Sequence, residues 1–279
     1  MKNTIRFDWA IKRLLRNKAN FGILEGFLSE LLGEDIKIES ILESESNKQS
    51  LDNKANRVDL LVQNTKGELI IIEVQSDFMR DYLMCMIFGT SKLVIDNMDA
   101  GMLYSKVKKI ISVNIVYFDL GHGEDYIYHG ATNFIGLNKN DQLHLSKQEQ
   151  LMYHTDKIAK IYPEYYIIKV NQFDNIAKNT LDEWINFLKN EEVKEGSHAK
   201  GLNEAKEKLT LLKLSDEERK DYDRYIANWR DNESALLSNF EAGELKKQKE
   251  IARKALAKGL SIKDVADLTG LSEEEIREI

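Results

Sequence analysis

Three side chains in the stretch RVDLLVQNTKGELIIIEVQSD, residues 57–77, have types and spacing suited to a catalytic centre: Asp59, Glu73 and Gln75. Glu73 follows Leu69, Ile70, Ile71 and Ile72 without a break. A carboxylate at the end of so apolar a run is either exposed at an edge or buried for a reason. Two carboxylates held close together repel, and a divalent cation between them turns that repulsion into binding. Oxygen-only ligands select hard ions such as Mg²⁺ (or Mn²⁺); Mg²⁺ keeps several waters and accepts one or two carboxylates plus phosphate oxygens. A cation so held can activate water and neutralise charge developing on a phosphodiester. Gln75 can orient that water by hydrogen bonding but supplies no positive charge.

These residues converge only if two strands pair in one register. The turn QNTKGE fits a three-residue loop, Thr65-Lys66-Gly67, with Gly67 in the left-handed position that such loops need. That register pairs Gln63 with Leu69 and sets Asp59 opposite Glu73, with Gln75 on the same face as Glu73. A slip of one residue would send the acids to opposite faces. The same pattern also fits a solvent-facing edge hairpin with incidental acids.

The surrounding periodicities predict a helix over 5–32 stopped by Gly33, a strand at 36–42 and a polar loop over 44–56. Strands at 57–63 and 69–75, a helix near 78–97 and a strand at 110–118 (IISVNIVYF) follow, giving the order αβββαβ. A further helix is expected over 181–190, and a charged, almost wholly helical region beyond it.

Composition narrows the alternatives. The chain has 279 residues, 42% of them hydrophobic, enough for a sizeable core. One cysteine rules out an internal disulfide framework, and no apolar run approaches a membrane span, so no membrane partner is expected. The N-terminal stretch MKNTIRFDWAIKRLL is too charged for a signal peptide, and a cytoplasmic location is expected. The net charge of −7 argues against a protein that coats nucleic acid but leaves room for a local basic groove. Lys12, Arg13, Arg16 and Lys18, and separately Lys106, Lys108 and Lys109, form basic clusters that read as solvated faces. The histidines have no short-spaced pair, and neither a zinc motif, a GxSxG elbow nor a phosphate-binding GxxxxGK[ST] loop is present. Cys85, among Met84, Met86, Ile87 and Phe88, reads as a buried structural thiol, and Tyr162, Tyr165 and Tyr166 around Pro163 read as packing.

Asp59 followed by Glu73-Val74-Gln75, on a hairpin within an αβββαβ order, resembles the PD-(D/E)xK nuclease superfamily in its variant with Gln in place of Lys. More narrowly, FDWAIKRLLRNKANFGILEGFLSELLG, NRVDLLV, IIEVQSD, FGTSK, VNIVYFDLGHGEDYIYHG and LDEWINFLKN are similar to the Rpn-type family of recombination-promoting nucleases and transposases, over about the first 200 residues. The resemblance implies a restriction-endonuclease-like α/β core. It assigns Asp59 and Glu73 as metal ligands, the Val74 carbonyl as a third, and Gln75 to the place of the catalytic lysine. It also implies that a helix before the sheet can offer a further acid, for which Glu25 is the candidate, with Glu30, Glu39 and Glu43 as competitors.

The expected organisation is a nuclease-like domain over 1–190 and a helical C-terminal region over 191–279. Its last piece, LSIKDVADLTGLSEEEIREI, reads as helix, turn, helix: Ser261 and Ser272 are N-caps, each with an acid three residues on, and Gly270 supplies the turn. Because the second helix opens Glu273-Glu274-Glu275, it is expected to pack on protein rather than to read DNA. The function that follows is a Mg²⁺- or Mn²⁺-dependent DNA endonuclease associated with recombination or mobile elements, with self-association through the C-terminal helices as an option. The alternatives are an inactive DNA- or partner-binding protein on the same core and a structural protein of a mobile element.

Overall fold

The computed structural model describes Arg6, Trp9, Ala10 and residues 17–42, 59–210 and 214–279. The expected loop at 44–56 and the cluster Lys12, Arg13 and Arg16 lie outside the described residues. By compactness the chain divides into residues 1–213 and residues 214–279.

The first unit is built on a sheet ordered β1-β2-β3-β4-β6-β5. Strands β1 (Ile38–Ile41), β2 (Leu60–Asn64) and β3 (Leu69–Gln75) form an antiparallel meander. Strands β4 (Ile110–Val116) and β6 (Glu164–Lys169) extend it in parallel, and β5 (Ile127–Gly130) closes the far edge antiparallel to β6. Parallel strands covered on both faces read as continuous apolar runs rather than alternating ones. IISVNIV of β4 is buried at every position, and LIII of β3 likewise.

Helix α1 (Phe21–Leu32) buries Ile23, Leu24, Phe27 and Leu28, and ends where Gly33 turns left-handed and its N–H closes on the Ser29 carbonyl. The single helix expected over 5–32 is interrupted. Asn17 is extended, its side chain caps the amide of Ala19, and a short 3₁₀ turn, Lys18–Asn20, precedes α1. Asn competes with the helix for its own backbone and so favours such a cap.

Helix α2 (Tyr82–Asp96) lies on one face of the sheet: Leu93 packs with Leu61, Leu69, Ile71 and Ile110, and Tyr82 and Met86 pack with Val116. Helix α3 (Lys147–Tyr153) precedes β6. On the other face stands α4 (Thr180–Asn190), placed there by Tyr117, which continues the 111/113/115 side of β4 and donates to the Leu188 carbonyl (2.9 Å). Phe27 of α1 meets Trp184 of α4 edge to face at 5.6 Å. Helix α5 (Leu202–Lys208) packs on α1. There the Gly26 and Gly201 backbones come so close that a Cβ on Gly26 would lie 2.2 Å from the Lys200 carbonyl oxygen.

The second unit is helical. Helix α6 (Asp216–Ala257) is followed by α7 (Ile262–Thr269) and α8 (Glu273–Arg277); Val265 of α7, Leu271 of the turn and Ile276 of α8 close on Ala252 and Ala255 near the end of α6. The expected caps are formed: Ser261 accepts from the Asp264 amide, Ser272 makes a reciprocal capping box with Glu275, and Gly270 is left-handed. No helix among the described residues is long and apolar enough to cross a membrane.

Candidate active site

The β2–β3 turn sets everything downstream. The Gly67 N–H donates to the Asn64 carbonyl (2.9 Å), and Gly67 has φ 80°. Asn64 Oδ1 accepts from the amides of Lys66 (3.0 Å) and Glu68 (2.9 Å), which locks the loop from within. The ladder then runs from Gln63↔Leu69 to Leu60↔Ile72, and one more step of the same register brings Asp59 level with Glu73.

At that end the pairing is finished by a side chain. Asp59 Oδ2 accepts the Val74 N–H at 2.8 Å. In an extended strand the N–H and C=O of one residue leave the same edge, so the Val74 carbonyl also faces the β2 side. The next carbonyl, that of Gln75, takes the opposite edge and accepts the Tyr117 N–H (3.0 Å). Asp59, Glu73 and the Val74 carbonyl lie at this end of the β2–β3 hairpin.

Glu73 and Gln75 project on the α2 face into a cavity of about 200 Å³, lined also by Ile71, Met79, Tyr82, Cys85, Met86, Gly89, Ser112 and Asn114. Asn114 is the β4 partner of Glu73. The Tyr82 hydroxyl donates to Asn114 Oδ1 (3.2 Å), and Asn114 Nδ2 donates to Ser112 Oγ (2.9 Å). Burial pushes the Tyr82 hydroxyl far above the usual phenol range, and the carboxylates of Glu73 and Asp59 push it further. Both acids therefore act on one phenol, which stays a neutral donor. Burial also raises the Cys85 thiol, with Asp81 and Glu73 adding to it, and Cys85 Sγ donates to Met79 Sδ (3.3 Å). A thiol shifted this way is a poor nucleophile. It is half-buried on the cavity wall rather than fully enclosed.

Gln75 Nε2 donates to the Asp77 carbonyl (3.2 Å). Register leads from Gln75 through Val116 to the buried Lys169, but that ammonium points to the Gly121 carbonyl (3.5 Å) and the Tyr128 ring (6.0 Å). Arg6 Nη2 donates to Ser76 Oγ (3.4 Å), which puts a guanidinium beside the residue that follows Gln75.

Glu25 is not brought to this corner. Its carboxylate accepts from Lys37 Nζ (3.0 Å) and from the Ile38 amide (2.9 Å). Ile38 pairs with Asn64, the turn end of β2, and Asp59 is roughly 16 Å away along that strand. A carboxylate on a helix facing the start of β1 meets an unpaired strand amide first, and Glu25 satisfies it. Glu30 accepts from Thr180 and the Lys200 amide, and Glu39 from Gln63. Glu43 lies outside the described residues. Ser112, Asn114, Tyr82 and Arg6 carry the signal that the sequence reading passed over. In IISVNIV, two polar residues at period two inside an otherwise apolar strand mark a polar strip across the buried face.

Among the described residues no group of three or more His, Cys, Asp or Glu side chains gathers to hold a metal. A hard cation here would rest on two carboxylates, one carbonyl and water, a donor set that suits Mg²⁺ or Mn²⁺ and excludes a thiolate or imidazole site.

No curated protein and no solved structure matches the chain. Two family models do. One, the C-terminal HTH domain of the Rpn/YhgA-like nuclease family, covers residues 245–279. That span contains α7 and α8 and the end of α6, and it weighs against the expectation that the segment only packs on protein. The other covers residues 5–239, and with it the hairpin, the cavity and the strip of polar residues: the chain belongs to the PD-(D/E)XK nuclease family of transposases.

Proposed function

We propose that the protein is a metal-dependent DNA endonuclease acting in recombination or in the movement of a mobile element. The observation that carries this reading is the hairpin register that sets Asp59 level with Glu73, with Asp59 tied to the Val74 amide. The carboxylates of Asp59 and Glu73 and the Val74 carbonyl would hold Mg²⁺ or Mn²⁺. Bound there, the cation supplies Lewis acidity, lowering the pKa of water and neutralising charge on the phosphodiester. The chain does the positioning. Asp59 is oriented by the Val74 amide that it accepts, and its carboxylate would contribute an oxygen to the ion. The Gln75 amide orients the attacking water, and the Tyr82–Asn114–Ser112 network holds the cavity wall neutral and rigid behind Glu73.

DNA is the proposed partner, supported by the C-terminal helix-turn-helix domain match. The acids that argued otherwise are partly engaged at home: Glu275 caps its own helix on Ser272, and Glu273 pairs with Arg277 (3.2 Å). Lys246, Lys247, Lys249, Arg253, Lys254, Lys258 and Lys263 supply positive charge within the matched span. We keep the division into a nuclease domain over 1–190 and a helical region over 191–279, self-association through the C-terminal helices and a cytoplasmic location as parts of the same proposal.

A second reading, a DNA-binding protein with an inactive core, is favoured by one observation. The position of the motif lysine holds Gln75, and the buried Lys169 turns away from it. Incubating plasmid with purified protein, with and without Mg²⁺ or Mn²⁺, decides between them. Metal-dependent nicking supports the endonuclease. Intact plasmid together with a gel shift in EDTA supports the inactive binder.

A further inference from the structure

At the N-terminal ends of β3, β4 and β6, the opposite end of the sheet from Glu73, lies a groove of about 780 Å³. Lys66, Lys106, Lys108, Lys109, Lys157 and Lys160 line it, against the carboxylates of Glu34, Glu68 and Asp156. The balance is positive in a chain whose net charge is −7. From Glu68 to Glu73, β3 separates this groove from the candidate active site by roughly 17 Å.

The lysines have different roles. Lys109 is largely covered and bonded to the carbonyls of Ala159 (3.1 Å) and Tyr162 and to Glu164 (2.8 Å). It joins the segment before β6 to the start of β4, and so fixes the two walls of the groove. Lys66 is paired with Glu34 (2.6 Å), and Lys160 lies 3.5 Å from Glu164. Lys108 bonds the neutral Gln63 amide oxygen (2.8 Å), so its charge is oriented but not cancelled. Lys106 and Lys157 are exposed on facing segments and have no carboxylate partner among the described residues. Three uncompensated cations on walls held in place by a fourth suit a ligand with regularly spaced negative charges. Point-charge ammonium groups contact phosphates without reading bases.

We propose that this groove is a second DNA-backbone site, holding a stretch of duplex distinct from the one at the Glu73 site. A separation of roughly 17 Å corresponds to about five base-pair steps, so the phosphates held here are not the scissile one. The inference rests on DNA being the partner and not on cleavage.

The test is fluorescence anisotropy of a labelled duplex with the full-length protein in EDTA, which silences metal-dependent cleavage, across a salt series. Three proteins are compared: wild type, Lys106→Ala/Lys157→Ala, and Lys139→Ala/Lys178→Ala. The last removes the same charge from exposed positions outside the groove. The groove variant should bind severalfold more weakly at low salt, with a slope of log K against log [salt] shallower by about 2, one unit per lost phosphate contact. The control variant should follow wild type. A groove variant that matches wild type, or a control that weakens equally, overturns the second site and leaves the DNA reading standing. Failure of wild type to bind the duplex overturns both. Coincident thermal melts verify the fold, since both substituted groove lysines bond only through their backbone among the described residues.

Discussion

Asp59 Oδ2 accepts the main-chain N–H of Val74 at 2.8 Å, so the first acid of the motif is bonded to the residue next to the second. In the proposed site, metal binding and hairpin stability would be coupled through this one side chain. Asp59→Ala should abolish metal-dependent nicking and also destabilise the fold by about 1 kcal/mol, because the Val74 donor loses its acceptor. Asp59→Asn keeps an acceptor oxygen and should stay near wild-type stability while losing nicking. Glu73→Ala should lose nicking. Plasmid assays combined with denaturant melts check this; an Asp59→Asn protein that nicks like wild type would remove Asp59 from the site.

Gln75 is half-exposed, and its side chain donates only to the nearby Asp77 carbonyl among the described residues, so it can be exchanged without disturbing the core. Gln75→Ala should slow cleavage less than loss of either acid. Gln75→Lys should speed it, since a cation there stabilises charge developing in the transition state. Single-turnover rates measure both, and a slower Gln75→Lys enzyme would count against the mapping of Gln75 onto the lysine position.

The buried network behind Glu73 should matter for stability as well as for the site. Tyr82→Phe leaves Asn114 Oδ1, at 1% exposure for the residue, without its hydroxyl donor. A cost of about 1 kcal/mol is expected in a urea titration, together with a lower nicking rate. Unchanged stability would mean that Asn114 finds another partner.

Glu164 gives the fold an acid limit. Burial alone would raise its carboxyl, but hydrogen bonds from Lys109 and His129 and the charges of Lys109 and Lys160 outweigh that and hold it below 4.5. A carboxylate depressed in the folded state contributes stability that is fully present above its unfolded value and lost as pH falls through the folded one. Stability should therefore be level down to about pH 4.5 and drop below it. Glu164→Gln should flatten that drop and cost about 3 kcal/mol at neutral pH, because Lys109 is left buried without its counter-charge. Melts between pH 3 and pH 7 provide the measurement. A variant with the wild-type acid profile would mean that other carboxylates set the limit.

A chain ending at Gly243 lacks the span matched by the helix-turn-helix model. Removing Lys246, Lys247, Lys249, Arg253, Lys254, Lys258 and Lys263 should weaken duplex binding and lower its salt dependence, while the core retains its metal-dependent nicking at higher protein concentration. Equal affinity for the shortened and full chains would restore the expectation, based on Glu273-Glu274-Glu275, that this end packs on protein.

The hairpin and its register, Gln63 opposite Leu69, were legible in one dimension. Gly67, strand periodicity and turn length are local constraints, and a three-residue loop leaves the two strands a single way to face each other. The caps at Ser261 and Ser272 were legible for the same reason, since a side chain bonding three residues ahead needs no distant partner. Glu25 was not. Its position between apolar residues of a helix says that it is partly covered, but the strand end that it meets depends on how α1 is laid against the sheet, and it meets Ile38. Asn114 was quoted within a strand and passed over, because its meaning arises from β4 lying parallel beside β3 so that it stands next to Glu73. Lys109 likewise read as one member of a solvated cluster until β6 brought Glu164 against it. Contacts within a turn are decided by the chain's own geometry, whereas contacts between strands far apart in sequence depend on burial of the whole sheet, which no short window encodes.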